Sequence, residues 1–308
     1  MKIVFCAPHK DSQPWLALIE AGLPSAQVWA WTEGDLRQED YAIVWAPPED
    51  FFTAQQKLKA VFTIGAGVDS LMKLANLPTG ILVVRLNDAG MAVQMAEYVC
   101  HALIRHSREF DSYAAQSNKA MWNVRRPIDR AAWPVGVMGL GSIGVRVAQA
   151  VAGFEYPVFG WSRSKKSIAG ITTLAGAENL DKFLQSVRVL VCLLPLTGET
   201  KHILNKVTLA KLMPQAYLIN VARGQHLVDA DLLALLDNGT LAGATLDVFQ
   251  TEPLPHNHIF WRHPKITITP HCSAITLLEE SVVQIVAKIK ALEKGQRIDG
   301  LVSRQDGY

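Results

Sequence analysis

Short apolar runs alternate with amphipathic stretches through the first third of the chain. Ile3 to Ala7, Gln27 to Trp31, Tyr41 to Trp45, Ala60 to Ile64 and Ile81 to Leu86 are each of strand length. Such spacing predicts parallel strands joined by helical crossovers. The rhythm returns later in Pro134 to Met138, Tyr156 to Trp161, Val187 to Leu194, Ala216 to Val221, Ala244 to Phe249 and Ile266 to Thr269. Val187 to Leu194 is almost unbroken in apolar residues, as for a strand covered on both faces.

Between the two series, Met91 to about Asn118 reads as one long helix with Met95, Val99, Ala102 and Leu103 on its apolar side. A helix that leaves one sheet and leads to another is a domain bridge, so the boundary is expected near residue 98. Asn123 to Ala132 is polar, carries Pro127 and lacks periodicity, which predicts a loop. The last helix, Leu277 to Lys294, comes too late to extend the second sheet and is expected to pack on the first, with Gly295 closing its end.

At 308 residues the chain is long enough for two packed domains, and the fold class predicted is α/β. A net charge of +2 with scattered basic residues argues against a nucleic-acid surface. The amino terminus reads as a strand without a signal-peptide pattern, and no apolar run approaches membrane length, so a cytoplasmic location is expected. Cys6, Cys100, Cys192 and Cys272 have no C-x-x-C pairing, which predicts buried reduced thiols. Cys272 stands beside His271, so a nucleophile is the alternative. No metal site is expected.

The sharpest signal is Gly139-Leu140-Gly141-Ser142-Ile143-Gly144, lying between an apolar strand and a segment in which Ile143, Val147 and Val151 recur at helical spacing. Gly139 suits a tight bend, Gly141 the approach of a pyrophosphate to the backbone, and Gly144 close helix–strand packing. The positive end of the helix favours an anion. A plain tight turn also matches this pattern, but strand, glycines and helix come in the order that dinucleotide binding requires.

About twenty residues on, an acidic residue would hold the ribose 2′-hydroxyl of NAD. Here Ser162-Arg163-Ser164-Lys165-Lys166 follows the strand and no carboxylate is present. Arg163 suits a 2′-phosphate, with hydrogen bonds from Ser162, Ser164 or Lys165, so NADP is expected over NAD. The alternative is a solvated basic turn. A second glycine-rich turn, Gly65-Ala66-Gly67-Val68, follows an earlier strand and has the freedom to present N–H groups to a carboxylate; Trp45 could overhang it.

Ligands of open parallel sheets bind beyond the carboxyl ends of the strands. Arg223, Glu252 and His271 all fall at such ends. Singly, each has an ordinary explanation as a surface charge. Jointly, they suggest chemistry.

GAGVD at 65–69, GLGSIG at 139–144, NVARG at 220–224, LDVFQTEPLP at 246–255 and ITPHCSA at 268–274 resemble the D-isomer-specific 2-hydroxyacid dehydrogenases over nearly the whole chain. Among these, the short bacterial glyoxylate/hydroxypyruvate reductases look most similar, and they share the terminal Gly307-Tyr308. The resemblance implies two doubly wound parallel-sheet domains with a cleft between them. Residues 1–98 plus 275–308 would form a flavodoxin-like substrate-binding domain, and 99–274 a Rossmann dinucleotide-binding domain. It implies Arg223, Glu252 and His271 as the catalytic set. Ser142, Ile143, Arg163, Leu194, Pro195, Val221, Ala222 and Asp247 would lie near the cofactor, and Trp45, Ala66, Gly67, Val68 and Arg223 near the substrate. The expected reaction is NADPH-dependent reduction of a small 2-keto acid such as glyoxylate or hydroxypyruvate, in a homodimer with no nucleic-acid or membrane partner. Ser162 departs from relatives that use NAD, and Glu252 departs from formate dehydrogenases, which carry Gln there. A bulkier 2-keto acid, or a nucleotide sensor without catalysis, are the competing readings.

Overall fold

A computed structural model describes residues 1–304 except His9, Ala54, Gln56, Ala66 and Pro127. The chain divides by contact into two units, Met1–Gly90 with the segment from Thr276 onward, and Met91–Ile275. In the first unit come Lys2–Cys6 (β1), Gln13–Gly22 (α1), Gln27–Ala30 (β2), Tyr41–Val44 (β3), Ala60–Thr63 (β4), Asp69–Met72 (α2) and Leu82–Val84 (β5). The second unit opens with Met91–Ser107 (α3), Phe110–Ser117 (α4), Val135–Met138 (β6), Ser142–Gly153 (α5), Val158–Ser162 (β7) and Thr172–Ala175 (β8). It continues through Leu180–Gln185 (α6), Val189–Cys192 (β9), Lys206–Leu209 (α7), Ala216–Asn220 (β10), Asp229–Asp237 (α8), Leu241–Leu246 (β11) and Ile266–Ile268 (β12). Leu278–Glu293 (α9) belongs to the first unit.

All pairings between named strands are parallel. The first sheet runs β2-β1-β3-β4-β5, the flavodoxin-like order. The second runs β12-β11-β10-β9-β6-β7-β8, the dinucleotide-fold order extended by one strand, with its switch point between β6 and β9. Every residue of β6, β9 and β10 is buried, which is why these strands read as apolar runs. In the first unit α9 packs on α1, where a Cβ on Gly22 would lie 2.8 Å from Val286 Cγ2. The Glu293 carboxylate near the end of α9 accepts from Tyr41 Oη at 2.7 Å and Lys59 Nζ at 2.8 Å.

Several features differ from the sequence reading. The expected long helix is two, because Glu109 turns the backbone to φ +53 and α4 beyond it buries no side chain. Its apolar stripe had ended where Ser107 forms a buried hydrogen bond with Tyr156, at 2.9 Å. The break between units falls after Gly90 rather than near residue 98, since α3 packs along α5 and stays whole in the second unit. The edge strand β8 went unread because its four residues are exposed or half-buried and carry no apolar run. The segment expected to be loop holds one 3-10 turn, Arg130–Ala132, capped by Asp129, which accepts from the Ala131 N–H at 3.0 Å. Pro127, Ala66, Gly307 and Tyr308 lie outside the described residues. Cys6, Cys100 and Cys192 are buried as expected, whereas Cys272 is exposed. Among the described residues no helix is long and apolar enough to cross a membrane.

Candidate active site

The turn between β6 and α5 uses its three glycines for different reasons. A Cβ on Gly139, at φ +99, would stand 2.6 Å from the Leu193 carbonyl oxygen, and one on Gly144 would stand 1.8 Å from the Gly139 carbonyl oxygen. Both are demanded by the fold. Gly141 is not: its φ is −71, and a Cβ there would meet nothing within 4 Å. The space over Gly141 lies open beside the first N–H groups of α5, which have no acceptor within the helix. Ser142 is exposed and Ile143 half-buried at that end.

Beyond β7, Arg163, Ser164 and Lys165 are exposed. Ser162 is 8% exposed, and its hydroxyl donates to the Ser164 carbonyl at 2.8 Å. That bond shapes the turn that carries Arg163, Ser164 and Lys165. The cationic groups on the rim remain suited to a phosphate. Leu194, Val221 and Ala222 are buried and Pro195 is half-buried, forming apolar walls at the ends of β9 and β10.

Arg223, Glu252 and His271 follow β10, β11 and β12, three adjacent strands, so parallel pairing alone brings all three to one edge of the sheet. The loops carrying Arg223 and Glu252 press together at Gly224, where a Cβ would fall 1.8 Å from the Phe249 carbonyl carbon. Arg223 has an extended backbone, φ −145, and its Nη1 donates to the Ala222 carbonyl at 2.7 Å. Glu252 accepts from the Phe249 N–H at 2.9 Å through Oε1 and meets His271 Nδ1 at 2.7 Å through Oε2.

His271 adopts φ +51, the left-handed region, and its N–H donates to the Asp247 carbonyl at 2.9 Å. The Asp247 carboxylate holds the same loop: Oδ1 accepts from Thr269 Oγ1 at 2.5 Å and from the Cys272 N–H at 2.9 Å, and Oδ2 accepts from the Ser273 N–H at 2.9 Å. Asp247 is fully buried, and its carboxylate fixes the His271 loop. Thr269 and Tyr98, whose hydroxyls are 2.5 Å apart, extend the same network and were not singled out by sequence. Tyr98 sits on α3, remote in sequence, and only the fold brings it there.

The hydrogen bond to Glu252 holds the His271 imidazole above its ordinary pKa range, against burial and the Arg223 charge, which lower it. Burial raises Glu252, but the bonds from His271 and the Phe249 N–H, with the Arg223 charge, outweigh it and leave the carboxyl below its usual range. Glu252 is therefore the ionised acceptor, Nδ1 of His271 carries a proton, and Nε2 is the nitrogen left to exchange one. Cys272 is held above the usual thiol range by burial and the nearby Asp247 charge, which disfavours a thiolate.

Trp45, Gly67 and Val68 belong to the first unit. The Trp45 ring covers Gly65, where a Cβ would come within 2.1 Å of ring carbon Cζ3, and Val68 is buried before the single turn of α2.

Residues 100–273 match the family model for the D-isomer specific 2-hydroxyacid dehydrogenase NAD binding domain. The chain is 47% identical over 313 aligned residues to a glyoxylate/hydroxypyruvate reductase A of Serratia proteamaculans, covering 100% of both. Among solved structures it is similar to a D-isomer specific 2-hydroxyacid dehydrogenase of Xanthobacter autotrophicus in complex with NADPH and MES, with 35% identity, TM-score 0.95 and coverage of 100% of this chain and 99% of that one. An NADPH-dependent glyoxylate/hydroxypyruvate reductase of Sinorhizobium meliloti in complex with NADP and sulfate gives 33% identity, TM-score 0.93 and coverage of 100% and 99%. With that family match over more than half its length and its relatives aligned end to end, the chain belongs to the D-isomer-specific 2-hydroxyacid dehydrogenase family.

Proposed function

We propose that the protein reduces small 2-keto acids, glyoxylate to glycolate and hydroxypyruvate to D-glycerate, with NADPH. The observation that carries this reading is the 2.7 Å pair of Glu252 and His271 within reach of the Arg223 charge, on the strand edge that also bears the glycine turn. The open space at Gly141 and the basic rim at Arg163 and Lys165 fit NADP, and relatives described with NADPH and NADP support it. Gly139, Gly141, Ser142, Ile143 and Gly144 would hold the pyrophosphate, Arg163, Ser164 and Lys165 the 2′-phosphate, and Leu194, Pro195, Val221 and Ala222 the apolar flank.

A reduced nicotinamide, when bound, supplies the hydride that reaches the 2-keto carbon. Negative charge then develops on the carbonyl oxygen, and His271 Nε2 delivers the proton that neutralises it, a step worth typically about a hundred- to ten-thousandfold. Glu252 keeps the imidazole oriented and protonated through Nδ1. Arg223 offers a planar fork to the substrate carboxylate or the polarised carbonyl. Trp45, Ala66, Gly67 and Val68 are assigned to substrate binding on the family resemblance. A homodimer follows from the same resemblance, with the exposed Met121, Trp122 and Val124, Trp122 being 94% exposed, as its contact.

An initial-rate panel of 2-oxo acids against NADPH and NADH tests the proposal. Fastest turnover is expected with glyoxylate or hydroxypyruvate and NADPH. Preference for phenylpyruvate overturns the substrate, equal use of NADH overturns the cofactor, and tight NADPH binding without turnover overturns the activity.

A further inference from the structure

His226 is fully buried in the 3-10 turn Gly224–His226 that directly follows Arg223. Its ring lies between two backbone carbonyls, with Nδ1 3.1 Å from the Arg223 oxygen and Nε2 3.3 Å from the Pro195 oxygen. Both oxygens are acceptors, so the neutral ring, with one N–H, bonds one of them in each tautomer, and an imidazolium bonds both. The Pro195 oxygen also accepts from Thr200 Oγ1 at 2.7 Å, and the Arg223 oxygen from Asn220 Nδ2 at 3.1 Å. Around the ring the main chain is stitched in the same sense: the Leu204 N–H donates to the His226 carbonyl and the His202 N–H to the Gln225 carbonyl, both at 2.9 Å.

We infer that His226 is a positioning residue that locks the Arg223 loop and the Leu194–Pro195 turn into one register. Pro195 and Arg223 follow the neighbouring strands β9 and β10, so this register sets the spacing between the apolar flank assigned to the cofactor and the guanidinium assigned to the substrate. An apolar side chain would satisfy the burial but offer neither carbonyl a ring donor, leaving Thr200 Oγ1 and Asn220 Nδ2 as their side-chain partners. Hydride transfer tolerates little error in that spacing, since a displacement of about 1 Å can cost about a hundredfold in rate. The inference rests on the reading of Arg223 as the substrate's partner.

The test compares wild type, Arg223→Ala, His226→Phe, His226→Asn and His226→Gln with glyoxylate and NADPH, with NADPH binding and circular dichroism measured on each. His226→Phe fills the space without a donor and is expected to lower kcat/KM by about ten- to a hundredfold while the folded protein still binds NADPH. His226→Asn and His226→Gln each keep one carbonyl within reach and are expected to recover part of that loss. Wild-type kcat/KM in His226→Phe, or losses that track only the fraction folded, overturn the inference. Should His226→Phe not fold, wild-type rates in both amide variants overturn it, and reduced rates in both support it. An active Arg223→Ala instead removes the reading of Arg223 on which the inference stands.

Discussion

In the proposed reaction Glu252 acts through the proton range of His271. Its carboxylate raises the imidazole pKa, so the protonated donor persists to higher pH than an isolated histidine allows. Reduction should fall as pH rises through the raised His271 value. Glu252→Gln removes the charge, and the fall should move to lower pH with the acid side little changed. A kcat/KM profile against pH checks this, and an unmoved alkaline limb would mean that something other than Glu252 holds His271 protonated. Arg163 is the residue proposed for the 2′-phosphate: Arg163→Ala should raise KM for NADPH by about ten- to a hundredfold, the worth of one charge-assisted bond, and leave NADH almost unaffected. Equal effects on both cofactors would place the 2′-phosphate elsewhere. Arg223, Glu252 and His271 stood out in the sequence as ionisable groups at strand ends, and the fold brings Glu252 and His271 into contact. The loop-fixing contacts of Asp247 and the carbonyl contacts of His226 went unread because they are buried and reach main chain distant in sequence.

At the level of elements, the glycine turn separates folding from binding. Gly144→Ala drives a methyl group into the Gly139 carbonyl and should destabilise the protein by roughly 1–3 kcal/mol. Gly141→Ala meets open space and should keep the melting temperature while raising KM for NADPH. Melting curves beside NADPH kinetics check the pair; a Gly141→Ala variant that melts early with unchanged cofactor use would reverse the two roles. The central strands were readable because both faces are covered and the apolar run is unbroken, as in β9. β8 was not, since a half-exposed edge strand leaves no run, nor was the break between α3 and α4, where the backbone turns at Glu109 without glycine or proline to mark it.

For the molecule as a whole, the pH dependence of stability has an identifiable source in the first unit. Glu39 is 2% exposed, and among the described residues its carboxylate oxygens have no partner beyond its own backbone. Burial, with the nearby Asp35 charge, pushes its carboxyl up to about 7 from an ordinary 4.5. The folded chain therefore keeps a proton that the unfolded chain loses above the ordinary value. Stability present at acid pH should decline as pH rises to about 7 and then level, a loss on the order of 3 kcal/mol. Glu39→Gln should flatten that slope in denaturant titrations from pH 4 to pH 8, and an unchanged slope would assign it to other groups.

His271 is the proposed proton donor for 2-keto acid reduction. The most direct measurement is the initial rate of NADPH oxidation on glyoxylate by His271→Ala against wild type, with NADPH binding confirmed for both. A loss of about a hundred- to ten-thousandfold with cofactor binding retained is the expected result. Turnover near that of wild type would contradict it.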